Sequence, residues 1–424
     1  MKLLDKLLNN KLIQQISTLV TGSLIAQIIG FAVTPILSRL YLPEDFGFFG
    51  SLMTLAGIIS VALTFKYEMA IILTKKKIET EGVVRLSLVV LFSLFLVLTC
   101  VLSFKPILLT HLGLSSSSLL IVFLLLSIVL FQSLQNVFIQ WHSKLENYNV
   151  ISKNRVVQKS VIIIVQLNAI YFFSNHFGLI IGFLTGLIIS LILLIHPFIR
   201  DWYSIRFNKK YLRVLSLKYY RFPLYTAPQS LLNSISQGLP ILMLGYYFDL
   251  RIVGLYFFAV RILEIPSTMI GGSIRQVFYK RASDLRDNLT LLRAEFNKIT
   301  LGLLALISLP AITLFVFGPQ IFSWCFGSEW YEAGLMAKWM ILWVSISFVN
   351  PPANVVLLAL NKNSYQLILD IFLLTFRILA LYFGGLSGDI IYTIKLYSLV
   401  GLVLNSALIL SSYYYLRNVY NNPS

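Results

Sequence analysis

"TPILSRLYLPEDFGFFG", Thr34 to Gly50, interrupts two long apolar runs with two prolines, an arginine and an adjacent pair of acids. A close echo, "PILMLGYYFDLRIVGLYFF", begins at Pro240, 205 residues after Pro35. In both stretches Pro-Ile-Leu sits inside an apolar run, an acid follows nine residues after the proline (Glu44, Asp249), and glycine with aromatics opens the next run. A second echo follows in the same order. "NVFIQWHSKLENY" from Asn136 and "NVVLLALNKNSY" from Asn354 each place a lysine eight residues after the asparagine, at Lys144 and Lys362. Two echoes in one order read as two copies of one design.

The composition says which medium those copies occupy. The 424 residues are 58% hydrophobic and only 12% charged, about half the share of charge usual in a soluble domain. Apolar runs of about 20 residues cross hydrocarbon as helices, because a helix satisfies its own backbone polar groups. Such runs lie near 17–38, 47–73, 84–104, 117–141, 156–173 and 178–199, and again near 223–247, 252–279, 298–317, 332–360, 365–385 and 390–416. The reading is an all-α integral membrane protein of about twelve transmembrane helices in two pseudo-symmetric six-helix lobes, residues 16–205 and 223–424, joined by a basic cytoplasmic linker at 206–222. An even number of spans per copy relates the lobes by an axis along the membrane normal. In residues 1–15, leucines at helical spacing oppose Lys2, Asp5, Lys6 and Asn9, which predicts an interfacial amphipathic helix rather than a cleaved signal peptide.

The formal charge of +17 does not indicate nucleic acid, since the basic residues sit in short gaps between apolar runs instead of on one soluble face. With both termini cytoplasmic, the inner segments collect 23 Lys and Arg and the outer ones three, so the chain is expected N-in and C-in. The outer loops near 105–116 and 318–331 are about a dozen residues each, short for an enzyme that must hold an acceptor. No Walker motif, nucleophile elbow, zinc motif or glycine-rich phosphate loop is present, and catalytic residues, metal site and cofactor are all expected to be none. Cys100 and Cys325, among apolar residues, read as buried small hydrophobes. Tyr41, Trp141, Trp324, Trp330 and others at span ends read mostly as interfacial belts. Trp339 and Trp343 share a helix face and offer a stacking surface for a sugar.

Charges inside the spans carry the functional signal. Arg261, Glu264 and Arg377 fall near the middle of theirs, Lys66, Glu68, Arg275 and Asp370 fall one to two turns from an inner end, and Arg39 closes the first span outside. Each central charge costs about 2.5 kcal/mol or more if it faces lipid, so these groups should face protein or water. Arg261 and Glu264, three apart, are placed to pair along one face, and Asp370 and Arg377, seven apart, share a stripe. Internal ion pairs or snorkelling would be the bland outcome. The surplus of cations favours an anionic ligand, and a planar guanidinium suits phosphate or diphosphate. Pro35, Pro240, Pro266, Pro310, Pro351 and Pro352 fall inside the spans, where they break or kink helices at bending or binding places.

The order "TGSLIAQIIGFAVTPILSRLYLPEDFGFFGSL", from Thr21, with "KYEMAIIL" from Lys66, resembles the start of the Wzx-type O-antigen flippases, polysaccharide biosynthesis proteins of the MOP superfamily that also holds MurJ and the MATE exporters. The resemblance implies a flippase carrying undecaprenyl-diphosphate-linked oligosaccharide, an O-antigen or capsule repeat unit, across a bacterial inner membrane by alternating access through a cationic central cavity. It implies Lys66, Arg261, Arg275, Arg377 and Arg39 as substrate-binding residues. Glu264, Asp370 and Glu68 would serve in coupling to H+ or Na+. It further implies membrane lipids, a polysaccharide polymerase and glycosyltransferases as partners. A MATE-type ion-coupled exporter of small molecules and a membrane polysaccharide polymerase or ligase are the alternatives; the positive surplus argues against the first and the short outer loops against the second.

Overall fold

The computed structural model describes residues 11–104, 119–173, 176–201, 209–285, 288–360 and 363–421, and among these every regular element is helical. The segment expected to lie on the membrane falls outside them up to residue 10, as do Lys362 and the outer loop near 105–116. The chain forms two compact units, Met1–Leu242 and Met243–Ser424.

In the first unit α1 (Lys11–Leu40) meets α2 (Pro43–Leu63) at the corner that the opening stretch encodes, and a four-residue helix, α3 (Tyr67–Ala70), follows. Then come α4 (Lys77–Phe104), α5 (Leu119–Lys144), α6 (Tyr148–Ala169), α7 (Phe177–Asp201), the short α8 (Lys209–Lys218) and α9 (Ala227–Tyr247), which runs over the boundary between the units. The second unit continues with α10 (Leu250–Leu263), α11 (Ile265–Asp284), α12 (Leu289–Phe326), α13 (Tyr331–Val349), α14 (Pro351–Ala359), α15 (Asn363–Ser387) and α16 (Ile390–Asn421).

The expected spans fall on helical stretches, with those near 47–73, 252–279 and 332–360 each divided between two helices. Among the described residues ten stretches are long and apolar enough to cross a membrane; α6 and α9 are long enough but too polar. The polar side chains of α6 are spent inside the unit: Asn154 Nδ2 donates to Ser190 Oγ (2.8 Å), Gln135 Nε2 to Gln158 Oε1 (2.8 Å) and Gln166 Nε2 to the Leu179 carbonyl (3.0 Å). A helix whose amides face its neighbours loses apolar character without exposing them to lipid.

The two echoed corners are built alike. Pro35 and Pro240 lie inside continuous helices, and each helix ends two residues before the next begins. An acid caps each new helix: Asp45 Oδ2 accepts from the Leu42 amide (3.0 Å), and Asp249 Oδ1 accepts from the Ile252 amide (2.9 Å). The capping acid in the first corner is thus Asp45, not the Glu44 that the spacing aligned with Asp249.

Five expectations need correction. The span near 47–73 is broken after Leu63 by a turn in which Phe65 and Lys66 take φ of 45° and 60°, a backbone region that residues with side chains enter at a cost. The span near 332–360 is divided at Asn350, where Pro351 and Pro352 start α14 without needing the amides they lack. The expected outer loop at 318–331 is helical to Phe326 and then turns at Gly327 (φ 111°). This turn folds Trp330 inward to 4.0 Å from the Phe258 ring, so Trp330 is a core residue and not part of a belt. Tyr41 and Trp141 are buried too, Tyr41 with its hydroxyl on the Gln166 carbonyl at 2.7 Å. The aromatic at 324 is 82% exposed, as a belt residue would be. Finally, Cys100 is exposed on the outward stripe of α4 with Leu96, Val97 and Val101, where lipid rather than protein covers it.

In the second unit α13 packs on α10, α12 and α16. Its closest approach is backbone to backbone: a Cβ on Gly334 would stand 2.5 Å from Pro319 Cα and 2.6 Å from the Gly318 carbonyl oxygen. Neither atom can move without shifting α12. Gly334→Ala should therefore lower stability by about 1–3 kcal/mol, read as a drop in the unfolding temperature of the detergent-purified protein. Gly57→Ala, with nothing within 4 Å of its Cβ, is the control expected to change little.

Candidate functional site

The candidate residues form one group in each unit. In the first, the left-handed turn that ends α2 aims Lys66 back at Glu68, with Nζ 3.6 Å from Oε1. Glu68 is 2% exposed and its other oxygen is buried without a hydrogen bond. A buried carboxylate half-satisfied by one ammonium is a charge held in tension rather than a closed pair. Arg39, in the last turn of α1, is exposed.

In the second unit the decisive side chain is Arg377 on α15. Its guanidinium carbon lies 4.9 Å from the ring centre of Trp343 on α13 and 4.9 Å from that of Tyr397 on α16. The two rings meet at 87° with centroids 6.0 Å apart, so they form an aromatic corner around the cation. Ring faces are negative, and such contacts strengthen once water is excluded. Gly401 lets the corner close, because a Cβ there would stand 2.8 Å from Trp343 Cβ and 3.4 Å from Arg377 Nη2. The rings satisfy charge but not hydrogen bonding: Arg377 Nε and Trp343 Nε1 are both buried donors with no acceptor.

Around that corner Tyr256 on α10 packs edge-on against Tyr397 at 6.4 Å. Glu264, the residue that ends α10, lies within electrostatic reach of Arg377. The expected pairing of Arg261 with Glu264 does not form: among the described residues Arg261 has no ion pair, and Glu264 looks to Arg377. The spacing permits the pair, since the Glu264 amide still donates to the Val260 carbonyl (2.9 Å), but Arg377 from another helix competes for the acid. Arg261, Glu264, Arg275 and Asp370 are exposed, whereas Arg377 is half-buried. Arg275 and Asp370 stand apart from the corner.

Residue type at a single position did not mark the corner's walls, which come from helices far apart in sequence. Two further cations were passed over. Lys395 Nζ lies 4.7 Å from the ring centre of Trp339, and Lys338 Nζ lies 5.4 Å from that of Phe315. Both lie within apolar stretches long enough to span, and the clue available was the pair of tryptophans one turn apart. Trp343 is 7% exposed and faces Arg377, so it is not an open platform for a sugar.

Below α13, the break at Asn350 is stitched by a polar bond in the interior: the side-chain amides of Asn350 and Asn405 meet at 2.6 Å, and Asn405 Nδ2 donates to the Gly401 carbonyl at 2.6 Å. The same glycine therefore abuts the aromatic corner and anchors the helix break.

Comparison with known proteins places this geometry. The fold matches the inward closed conformation of the lipid II flippase MurJ with a TM-score of 0.74 at 15% identity, over 93% of this chain and 87% of that one. It matches an inward-facing multidrug resistance MATE transporter of the MOP superfamily at 0.70 and 14% identity, over 97% and 99%. A third match, a MOP superfamily transporter from Pyrococcus furiosus described by the reverse polarity of its binding pocket, scores 0.61 at 13% identity, over 96% of each chain. At such identities the likeness establishes fold. A search of curated proteins finds no match. The model of the family described as polysaccharide biosynthesis protein matches residues 36–334, which is most of the chain, so this multi-pass membrane protein belongs to that family.

Proposed function

We propose that the chain is a flippase for an undecaprenyl-diphosphate-linked oligosaccharide, an O-antigen or capsule repeat unit, which it carries from the cytoplasmic to the outer leaflet of a bacterial inner membrane by alternating access. Family membership and the MurJ-like fold support transport of a lipid-linked saccharide. The observation that carries the reading further is Arg377, a cation held between two rings with a buried donor still unused. That donor set accepts an anion and repels the cationic drugs a MATE-type exporter would take. Lys66, Arg261, Arg275 and Arg39 are proposed as further contacts to diphosphate or acidic sugar. Glu264, Asp370 and Glu68 are proposed for coupling to H+ or Na+. The orientation is proposed as N-in and C-in, with a polymerase and glycosyltransferases as partners.

In a strain lacking the gene, Arg377→Ala and Arg261→Ala should fail to restore surface glycan while reaching the membrane at normal level, as read by glycan staining and immunoblot. Normal glycan in both would remove them from the mechanism. Arg377→Lys keeps the charge and the ring contact but loses the planar fork. Charge-assisted hydrogen bonds contribute about 1.5–3 kcal/mol, so roughly tenfold or greater loss of glycan export is expected; full activity would leave the arginine a packing role only. Should the deletion strain keep its glycan and lose drug tolerance, the exporter reading replaces this one.

A further inference from the structure

The helix α8 is ten residues long, too short to span, and has two unlike faces. Its back is docked: Leu212, Leu215 and Tyr219 are buried in the core of the first unit with Tyr67, Ile71 and Val83. Gly82 of α4 receives it closely, since a Cβ there would stand 2.6 Å from Leu215 Cδ1 and 2.8 Å from Tyr211 Cε1. Glu79 then fastens its end, accepting from Lys218 Nζ and, at 2.9 Å, from the Tyr219 hydroxyl. The Lys218 ammonium is held above its usual range by that carboxylate.

The front is the unexplained part. Val214, Leu217 and Tyr220 are 58%, 67% and 47% exposed, and Lys209, Lys210, Arg213 and Arg221 are exposed among them. No acid occurs anywhere between Asp201 and Asp249, so the stretch itself carries only positive charge. A face turned to bulk water would be polar throughout, and one turned to acyl chains would be apolar throughout. Cations interleaved with apolar side chains suit the boundary between headgroups and chains. The depth agrees, because α8 lies against Glu79 and Gly82, in the first turns of the apolar helix α4.

We infer that the outer face of α8 is a docking surface for anionic phospholipid, its apolar side chains dipping below the phosphates and Lys209, Arg213 and Arg221 neutralising them. Attraction to an anionic leaflet is additive over basic residues and is screened by salt. The lipid engaged here is bulk membrane lipid, and the inference does not depend on what the protein transports.

The test titrates the full-length detergent-solubilised protein with phosphatidylglycerol, or with phosphatidylcholine of the same chains, and follows the unfolding temperature. Phosphatidylglycerol should raise it and phosphatidylcholine should not. With Lys209→Gln, Arg213→Gln and Arg221→Gln combined, the phosphatidylglycerol needed for the same rise should increase on the order of a hundredfold, from about fivefold per cation. An unchanged response in that variant, or equal responses to both lipids, overturns the inference. Independently of the charges, Leu217→Trp in vesicles containing brominated phosphatidylglycerol should show fluorescence quenching above the wild-type background; no added quenching also overturns it. If the wild type ignores phosphatidylglycerol yet the triple variant loses surface glycan in cells, the face belongs to a protein partner and the lipid assignment fails.

Discussion

Hydrocarbon offers no hydrogen bonds, so each polar atom carried into a spanning helix must find its partner within the protein or in water that the protein admits. Hydroxyls meet the demand cheaply. Thr54, Ser87, Ser345 and Thr375 each donate back to the carbonyl four residues earlier, at 2.6–2.9 Å, and need nothing from a neighbour. Amides cost more organisation, which explains why those of α5, α6, α16 and the break at Asn350 find partners on neighbouring helices. Full charges need an opposite charge, several carbonyls or an aromatic face, and their solutions set the architecture of both candidate groups.

Three solutions are visible. Lys66 takes a carboxylate two residues away, at the cost of a left-handed backbone. Lys144 ends α5 by donating to the carbonyls of Ile72 and Thr74, which pins the strained segment after α2 to a neighbouring helix. Arg377 takes two aromatic faces instead of an anion. The first leaves one buried oxygen of Glu68 over, and the second closes on backbone carbonyls. The third leaves donors over, and it is the one built from three helices, brought together by close contacts at Gly384, where α15 meets α16, and at Gly401, where α16 meets α13. A small residue at a helix contact thus decides whether a charge far along the chain is enclosed.

Helix positions were legible because a run of about 20 apolar residues has one solution in a membrane. The corner encoded by Thr34–Gly50 and its echo at Pro240 was legible for a related reason: a new helix N-terminus leaves amides without partners, and an acid beside it can accept from them. What failed were inferences that needed the third dimension. Trp330 and Trp141 sit at span ends like belt residues, and nothing in their local sequence says that a turn at Gly327, or a neighbour such as Phe198, takes them inward. Spacing along one helix suggests the pairing of Arg261 with Glu264, and it does not say that a cation from α15 lies within reach of the acid. Arg377 was recognised as a buried charge, yet Trp343 and Tyr397 could be assigned to it only once α13, α15 and α16 were side by side.

The aromatic corner also bears on coupling. An apolar side chain could fill the space between Trp343 and Tyr397 without leaving buried donors, each of which costs about 1–3 kcal/mol when unmet, so packing alone does not account for a guanidinium there. A carboxylate within its electrostatic reach is Glu264, which is exposed and sits at the end of α10. An anion arriving at Arg377 would therefore compete with Glu264 for the same charge, and a proton or metal cation on Glu264 would relieve that competition. Linkage makes the relation reciprocal: whatever neutralisation of Glu264 does for the anion's affinity, the anion does equally for neutralisation of Glu264. On the proposed reading, ligand and coupling ion need no long pathway between separate sites, because both would act on the charge of one arginine.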